Sequence, residues 1–400
     1  MEMALFNVND GFAEAVVRGY RSSFLSQEDY RRLSAAENLE GMCLAFMGES
    51  MTLDIRTALD ATDYAQFLQD EPSPLIPAVI VHKCREKLAS EFKYVREQVD
   101  GKLGKFLDYM RYEKMIDNIV MIISGTISNK SPKELLARVD PLGWFDELRT
   151  IPSMDFTQGY DDLYRTILID TPIAPYFKEF LETVGGGERG TTPEVSAILT
   201  ETDLEIMKNM LKKAWLEDFY SFCTESLSGS TTEEIMGDLL RWEADFRVLM
   251  VTLNALNSPL GTSQQIADRN ALYPSFGNLY PDGTNRIRRA WNEQTVRAAL
   301  EPFEKFASLY EQCKQFYDKD SAKSIDHSKG RFKSIEDLLF IELEKLYEMC
   351  FENQFHYGVF YAWIKLGEQE VRNIEWICNM VQMGRRGDVE DIIPLFAKRY

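Results

Sequence analysis

An all-α protein is predicted by two features of the sequence. Apolar residues recur every three or four positions over long stretches, the signature of one buried helix face. No alternation of period two runs long enough to make a competing strand. Hydrophobic residues form 45% of the 400-residue chain and charged residues 27%, ordinary values for a globular protein with ample material for a core.

The helical pattern can be followed along the chain. Pro72, Pro74 and Pro77 mark a connecting segment, where the missing amide donor does least harm. Residues 84–123 follow, with Leu88, Phe92, Val95, Val99, Leu103, Phe106 and Met110 at helical steps. Thr202–Cys223 repeats the pattern in Leu204, Met207, Leu211, Trp215, Phe219 and Phe222. A further helix is expected over Ser230–Leu256, opened by Ser-Thr-Thr-Glu-Glu as a capped start. The densest pattern spans Ser334–Met383, through Leu339, Leu343, Leu346 and Cys350, then Val371, Ile374, Cys378 and Val381. Gly358 and Gly367 interrupt it, so a bend or two consecutive helices is expected in place of one rod. Between these glycines VFYAWIKL is apolar or aromatic on several sides, buried all round or half of an interface. Two loops are expected to be solvent-facing: the Gly-, Thr- and Pro-rich Val184–Glu194, and the polar Lys314–Lys333.

Composition excludes several functions. A net charge of −19 and a pI near 4.8 make the chain a poor general binder of nucleic acid or of an anionic bilayer. The longest uncharged stretch, Val248–Ala267, carries too many Asn, Gln, Ser and Thr residues for a membrane span. The start lacks a basic flank and a long apolar run, so no secretory signal is expected and the protein is placed on the cytosolic side. The cysteines at 43, 84, 223, 313, 350 and 378 are widely scattered, which fits free buried thiols and no zinc site.

The search for catalytic motifs comes back empty. Gly185, Gly187 and Gly190 match GxGxxG, but an acidic helical segment precedes them and Thr-Thr-Pro follows, so a loop is the reading. No GxxxxGK[ST], HExxH or GxSxG is present. His82, His327 and His356 lie far apart, and His356, inside an aromatic segment, reads as a packed core histidine. Arg286, Arg288 and Arg289 form the strongest basic cluster, read as a solvated helix face without a phosphate cradle. Carboxylate pairs are so frequent among 64 acidic residues that they carry no acid–base signal.

One family matches in several long segments in the right order. FNVNDGFAEAVVRGYRSSFLSQEDYRRL, ATDYAQFLQDEPSPL, FLDYMRYEKMIDNIVMIISGT, LIDTPIAPYF, RWEADFRVLMVTLNAL, LYPDG and above all NQFHYGVFYAWIKLGEQEVRNIEWI resemble the d-subunit family of vacuolar-type proton ATPases. The resemblance implies an all-helical, funnel-shaped subunit without cofactor or catalytic residue, one domain over 1–400 made of three similar lobes near 1–130, 131–256 and 257–400. It implies a torque adaptor between the central stalk, built from subunits D and F, and the proteolipid c ring. It places the amino-terminal domain of subunit a nearby and puts the protein, as a peripheral subunit, on the cytosolic face of acidic organelles such as the vacuole, lysosome or endosome. Family members often carry cysteine where this chain has Ala36 and Val371, so no cysteine pairing transfers. The Gly185–Pro193 loop is long for the family.

The candidate partner interface is Gln354, Phe355, His356, Tyr357, Phe360, Trp363, Lys365, Glu368, Glu370 and Arg372, an aromatic cluster followed closely by charges. Two rival classes are kept: a general helical scaffold, and a helical enzyme using carboxylates with His356. An adaptor has no activity when isolated, which separates it from the enzyme.

Overall fold

The structure, a computed structural model, describes residues 2–40, 54–128, 130–153, 168–184, 201–256, 266–317, 335–389, 392–393 and 395–396. The Gly185–Glu194 loop, its GxGxxG match and most of the polar Lys314–Lys333 connection lie outside the described residues.

Among the described residues the regular structure consists of helices. The first six are α1 (Glu2–Asn9), α2 (Gly11–Tyr20), α3 (Gln27–Ala35), α4 (Ile55–Asp60), α5 (Ala65–Leu68) and α6 (Pro77–Glu97). Then come α7 (Gly101–Ile127), α8 (Pro132–Leu136), α9 (Ala174–Val184), α10 (Glu201–Ser221), α11 (Thr231–Leu256) and α12 (Ile266–Ala271). The last are α13 (Asp282–Ile287), α14 (Glu293–Leu300), α15 (Glu304–Tyr317), α16 (Ile335–Met349) and α17 (Gly358–Gln382). Among the described residues the only extended pairing is a single bridge between Asn38 and Asp54. No described helix is long and apolar enough to cross a membrane.

The 84–123 periodicity is carried by two helices, α6 and α7. Residues 98–100 separate them, and Gly101 opens α7 at φ +61, a conformation that L side chains rarely adopt. All seven periodic apolar residues are nonetheless buried, because each helix keeps its own stripe. The Ser230 start is capped as its sequence predicts: the Ser230 hydroxyl accepts from Glu233 N at 3.2 Å, and Glu233 reaches back to Gly229 N at 2.6 Å. The 334–383 pattern resolves into two helices, α16 and α17. Gly358 opens the second, whereas Gly367 lies inside it without breaking it. A Cβ on Gly367 would stand 2.7 Å from the Leu88 side chain, so its role is close approach to α6.

Contacts divide the chain into two compact units, Met1–Gly104 with Ser321–Tyr400, and Lys105–Asp320. In the discontinuous unit α17 packs against α6, α16, α2 and α3. Its core gathers Leu33, Ile55, Leu59, Ile80 and Cys84 around Ile374, Ile377 and Cys378. Ala36 and Val371 are buried in this same cluster, where their apolar side chains fill space that needs no thiol. In the continuous unit α10 packs against α9 and α11. Trp215 of α10 is fully buried, its indole N–H donating to the Tyr109 carbonyl at 2.7 Å. Phe219 stacks on Tyr109 at 5.4 Å. Lys212 reaches the Asp117 carboxylate at 2.8 Å.

Candidate functional site

The candidate segment begins at the turn between α16 and α17, and α2 fastens that turn. Both carboxylate oxygens of Glu14 accept from the Phe355 amide, each at 3.2 Å. Arg18, one helical turn later, donates to Glu14 at 2.8 Å, to the Phe351 carbonyl at 2.8 Å and to the Asn353 carbonyl. These contacts hold Phe355 at φ +67, a left-handed conformation that costs a residue with a side chain on the order of 1 kcal/mol or more. The Phe355 ring meets Phe6 of α1 edge-on at 6.1 Å. The Tyr357 hydroxyl donates to Asp10 at 3.0 Å.

Beyond the turn the aromatic residues face inward. Trp363 lies between Tyr20 and Phe92, with ring centroids at 5.2 and 6.5 Å and both pairs inclined by 16°. Stacking of this kind adds to the burial of a large apolar area. Phe360 and His356 are likewise fully enclosed. Burial lowers the His356 pKa below the ordinary imidazole value, so the ring is neutral. Enclosed in this way, it has no path to a substrate, and the core reading of this histidine describes it.

The charged half of the segment divides into a buried and an exposed side. Glu370 is buried, and its carboxylate accepts from Leu25 N and from the Tyr64 hydroxyl, both at 2.6 Å. Desolvation pushes its pKa up to about 7, against the lowering effect of these two donors and of the Lys87 ammonium. Asn373 exchanges hydrogen bonds with the backbone of Ile393 and donates to the Tyr30 hydroxyl at 3.1 Å. Gln369 donates to Asn373 at 3.0 Å and accepts from Arg372 at 2.7 Å. Arg372, exposed and 5.2 Å above the Phe340 ring, thus ends a chain of polar contacts that starts in the core. Lys365 and Glu368 are half-buried, Lys365 lying 5.2 Å above the Tyr361 ring.

Of the ten candidate residues, His356, Tyr357, Phe360, Trp363 and Glu370 are buried by their own unit. Phe355, Lys365 and Glu368 are half-buried, and Gln354 and Arg372 are exposed. Sequence reasoning missed Glu14, Arg18, Tyr64 and Leu25, which hold the segment from elsewhere in the chain. The i, i+4 spacing of Glu14 and Arg18 is a legible signal for an ion pair, but not for its target 341 positions away in sequence.

The polar groups of the segment are mostly engaged with one another and with the backbone. A groove of about 420 Å³ beside the segment is lined by Arg18, Arg21, Ser22, Phe24 and Phe396. Its arginines are engaged: Arg21 lies over the Phe396 and Phe351 rings, and Arg18 is held by Glu14 and two carbonyls. No group of His, Cys, Asp and Glu among the described residues could hold a metal ion.

Comparison with known proteins supplies what the geometry leaves open. The profile of the family described as ATP synthase (C/AC39) subunit matches residues 13–391. A probable V-type proton ATPase subunit d of Oryza sativa is 38% identical over 392 residues, 98% of this chain and 98% of its own. V-type proton ATPase subunit d of Neurospora crassa is 35% identical over 398 residues, 99% of this chain and all of its own. The protein of that name in Saccharomyces cerevisiae is 36% identical over 400 residues.

Proposed function

The chain belongs to the d-subunit family of V-type proton ATPases, and from that premise we propose that it is a noncatalytic adaptor which couples ATP hydrolysis to proton transport. In this role it joins the central stalk, subunits D and F, to the proteolipid c ring, and lies near the amino-terminal domain of subunit a. Its place is the cytosolic face of an acidic organelle, as a peripheral subunit whose three lobes surround a funnel. The observation that carries the proposal is full-length similarity: relatives from plant and fungi named V-type proton ATPase subunit d align over 98–99% of the chain.

The interior of the discontinuous unit supports such a part. A torque adaptor needs stiffness, and a bundle packed at crystal-like density supplies it. Trp363 between two rings, and α2 clamping the 353–357 turn, keep the segment from shearing. In this reading the buried candidates set the shape of the interface, while Gln354, Phe355, Lys365, Glu368 and Arg372 meet the partner.

The test is recovery of the full chain from native membranes, scored for stalk and proteolipid subunits. Their absence sinks the adaptor reading. Vesicles bearing Glu368→Gln or Arg372→Ala then address the segment. The expected outcome is assembled complex that hydrolyses ATP and moves fewer protons per ATP. An unchanged ratio with normal assembly would show that these residues lie outside the torque path.

A further inference from the structure

The continuous unit presents a corner, residues 280–291, where three arginines and two exposed aromatic residues lie close together in the chain. Arg286, Arg288 and Arg289 crowd the end of α13, in a chain whose net charge is −19. None of the three forms an ion pair among the described residues, although cations elsewhere, such as Arg18, Arg56, Lys83, Lys87 and Lys212, sit against carboxylates. Arg286, in the last turn of α13, and Arg289, in the turn that follows it, are both exposed. Even Asp282, one turn before Arg286 on the same face, leaves it unpaired. Two aromatic residues bracket the helix: Tyr280 is 48% exposed and Trp291 is 61% exposed. A six-residue helix is only about 9 Å long, so these side chains share one compact area.

The corner is also rigid. Arg269 of α12 is fully buried, and its Nη2 donates to the carbonyls of Arg288 at 2.8 Å and Ala290 at 2.7 Å, with Ile287 at 3.4 Å. The cation thereby meets the carbonyl-rich end of the helix, where positive charge is favoured. At the other end Asp245 of α11, buried, accepts from Asn278 N at 3.0 Å and Leu279 N at 2.9 Å. The Thr284 hydroxyl donates to the Pro281 carbonyl at 2.9 Å, and the Trp291 amide donates to Thr295 at 3.1 Å. Ile287 and Ala290 are buried beneath. Two buried charges from two helices therefore hold the backbone that displays three unpaired guanidinium groups.

We propose that the 280–291 corner docks a carboxylate-rich segment of a protein partner, with Arg286, Arg288 and Arg289 taking its carboxylates and Tyr280 and Trp291 flanking the contact. Guanidinium groups pair with carboxylates through two parallel hydrogen bonds, which a lysine cannot do. Arginine, tryptophan and tyrosine are the residues that dominate binding energy at protein interfaces. A backbone fixed before binding loses little entropy when the partner arrives. An anionic bilayer is the weaker occupant: the chain as a whole is repelled by negative surfaces, and Asp282 and Glu293 stand at the rim of the corner. The docking surface stands whether or not the partner is an ATPase subunit.

The test places a photo-crosslinking amino acid at Trp291 of the full chain in its native cells. The expected product is an adduct to one protein, mapped to a segment holding several Asp or Glu residues. Its yield should fall at least tenfold in the Arg286→Glu, Arg289→Glu double variant, and in the milder double alanine variant should the reversal fail to fold. It should return when the mapped carboxylates are changed to lysine alongside the double glutamate variant. An adduct to phospholipid, adducts scattered over many proteins, no adduct, or an adduct indifferent to both double variants each overturns the proposal.

Discussion

Two aromatic-rich regions of this molecule have opposite fates. Residues 355–363 bring Phe355, Tyr357, Phe360, Tyr361 and Trp363 together, and four of these five are buried. Residues 280–291 hold only Tyr280 and Trp291, and both are exposed. Aromatic density marks the first region as core, because each added ring removes more apolar area from water. The second region declares itself differently. Its arginines lack partners, its tryptophan lacks cover, and its backbone is nonetheless pinned by buried charge. For partner recognition, unspent hydrogen-bonding capacity on a rigid backbone is the more informative sign.

The comparison is tested most strongly at Trp363. Trp363→Ala removes a buried ring from between Tyr20 and Phe92 and leaves a cavity, at an expected cost of about 3–5 kcal/mol. Denaturant titration measures it. A cost under about 1 kcal/mol would show that the segment is loosely packed and that the core reading is wrong.

Arg269→Met sharpens the other side. The methionine keeps some of the stem volume but strips the Arg288 and Ala290 carbonyls of their charged donor. Hydrogen bonds from charged groups are worth about 1.5–3 kcal/mol, so a loss on the order of 2–3 kcal/mol is expected. Faster amide exchange should be confined at first to the residues around 287–292. If exchange there is unchanged, Arg269 does not hold the corner.

Beside each region lies a buried carboxylate whose pKa desolvation pushes up, Glu370 to about 7 and Asp245 to about 6. Asp245 is met by two backbone amides and the Asn278 side-chain amide, Glu370 by one amide and one phenol. In both, desolvation outweighs the donors that favour the ionised form. The sign of the pH dependence follows. A raised carboxylate pKa means the folded state holds the proton over a range where the unfolded chain has lost it, so this stability is full at low pH and declines as pH rises. For Glu370 the decline spans about pH 4.5 to 7 and amounts to on the order of 3 kcal/mol. In Glu370→Gln that part of the pH dependence should vanish, so the stability difference from the parent shifts in favour of the glutamine as pH rises. Parallel curves across this range would place Glu370 in contact with water.

Thiol chemistry gives a smaller, qualitative check. Cys84, Cys223, Cys350 and Cys378 are free and buried, and burial pushes the Cys350 and Cys378 thiols up to about 12. All four should resist alkylation at pH 8 in the folded protein and react fully once it is denatured without reductant. Cys43 lies outside the described residues, as does the side chain of Cys313.

How much of this was legible in the sequence depends on the range of the interaction. The α6, α10, α11 and α17 stripes could be read because helical periodicity is local. The Ser230 cap could be read for the same reason. The split at residues 98–100 was hidden, since the apolar spacing continues across it while α6 ends at Glu97 and α7 restarts at Gly101. Glu370 was singled out as an interface charge, yet it is enclosed by Leu25 and Tyr64, which lie more than 300 positions away. Arg269 and Asp245 were invisible because a buried charge is recognisable only by the carbonyls or amides that surround it. The Arg286–Arg289 cluster was visible, but its reading as a solvated face could not register that the backbone beneath it is clamped.

The smallest expected effect is the one that discriminates most finely. Trp291→Ala removes a side chain of the same size as that of Trp363, but one that is 61% exposed and leaves no cavity. The amide that caps the start of α14 through Thr295 is untouched, because it belongs to the backbone. Exposed substitutions away from caps and networks usually stay within about 0.5 kcal/mol, and that is the expected change here. The contrast with Trp363 is then nearly tenfold in energy for the same substitution. If Trp291→Ala instead costs the isolated chain 2 kcal/mol or more, the ring packs against its own unit in solution and the corner is not open to a partner. A neutral effect on folding together with weakened association of the full chain in its native membranes would fix the burial of Trp291 at the contact with another molecule.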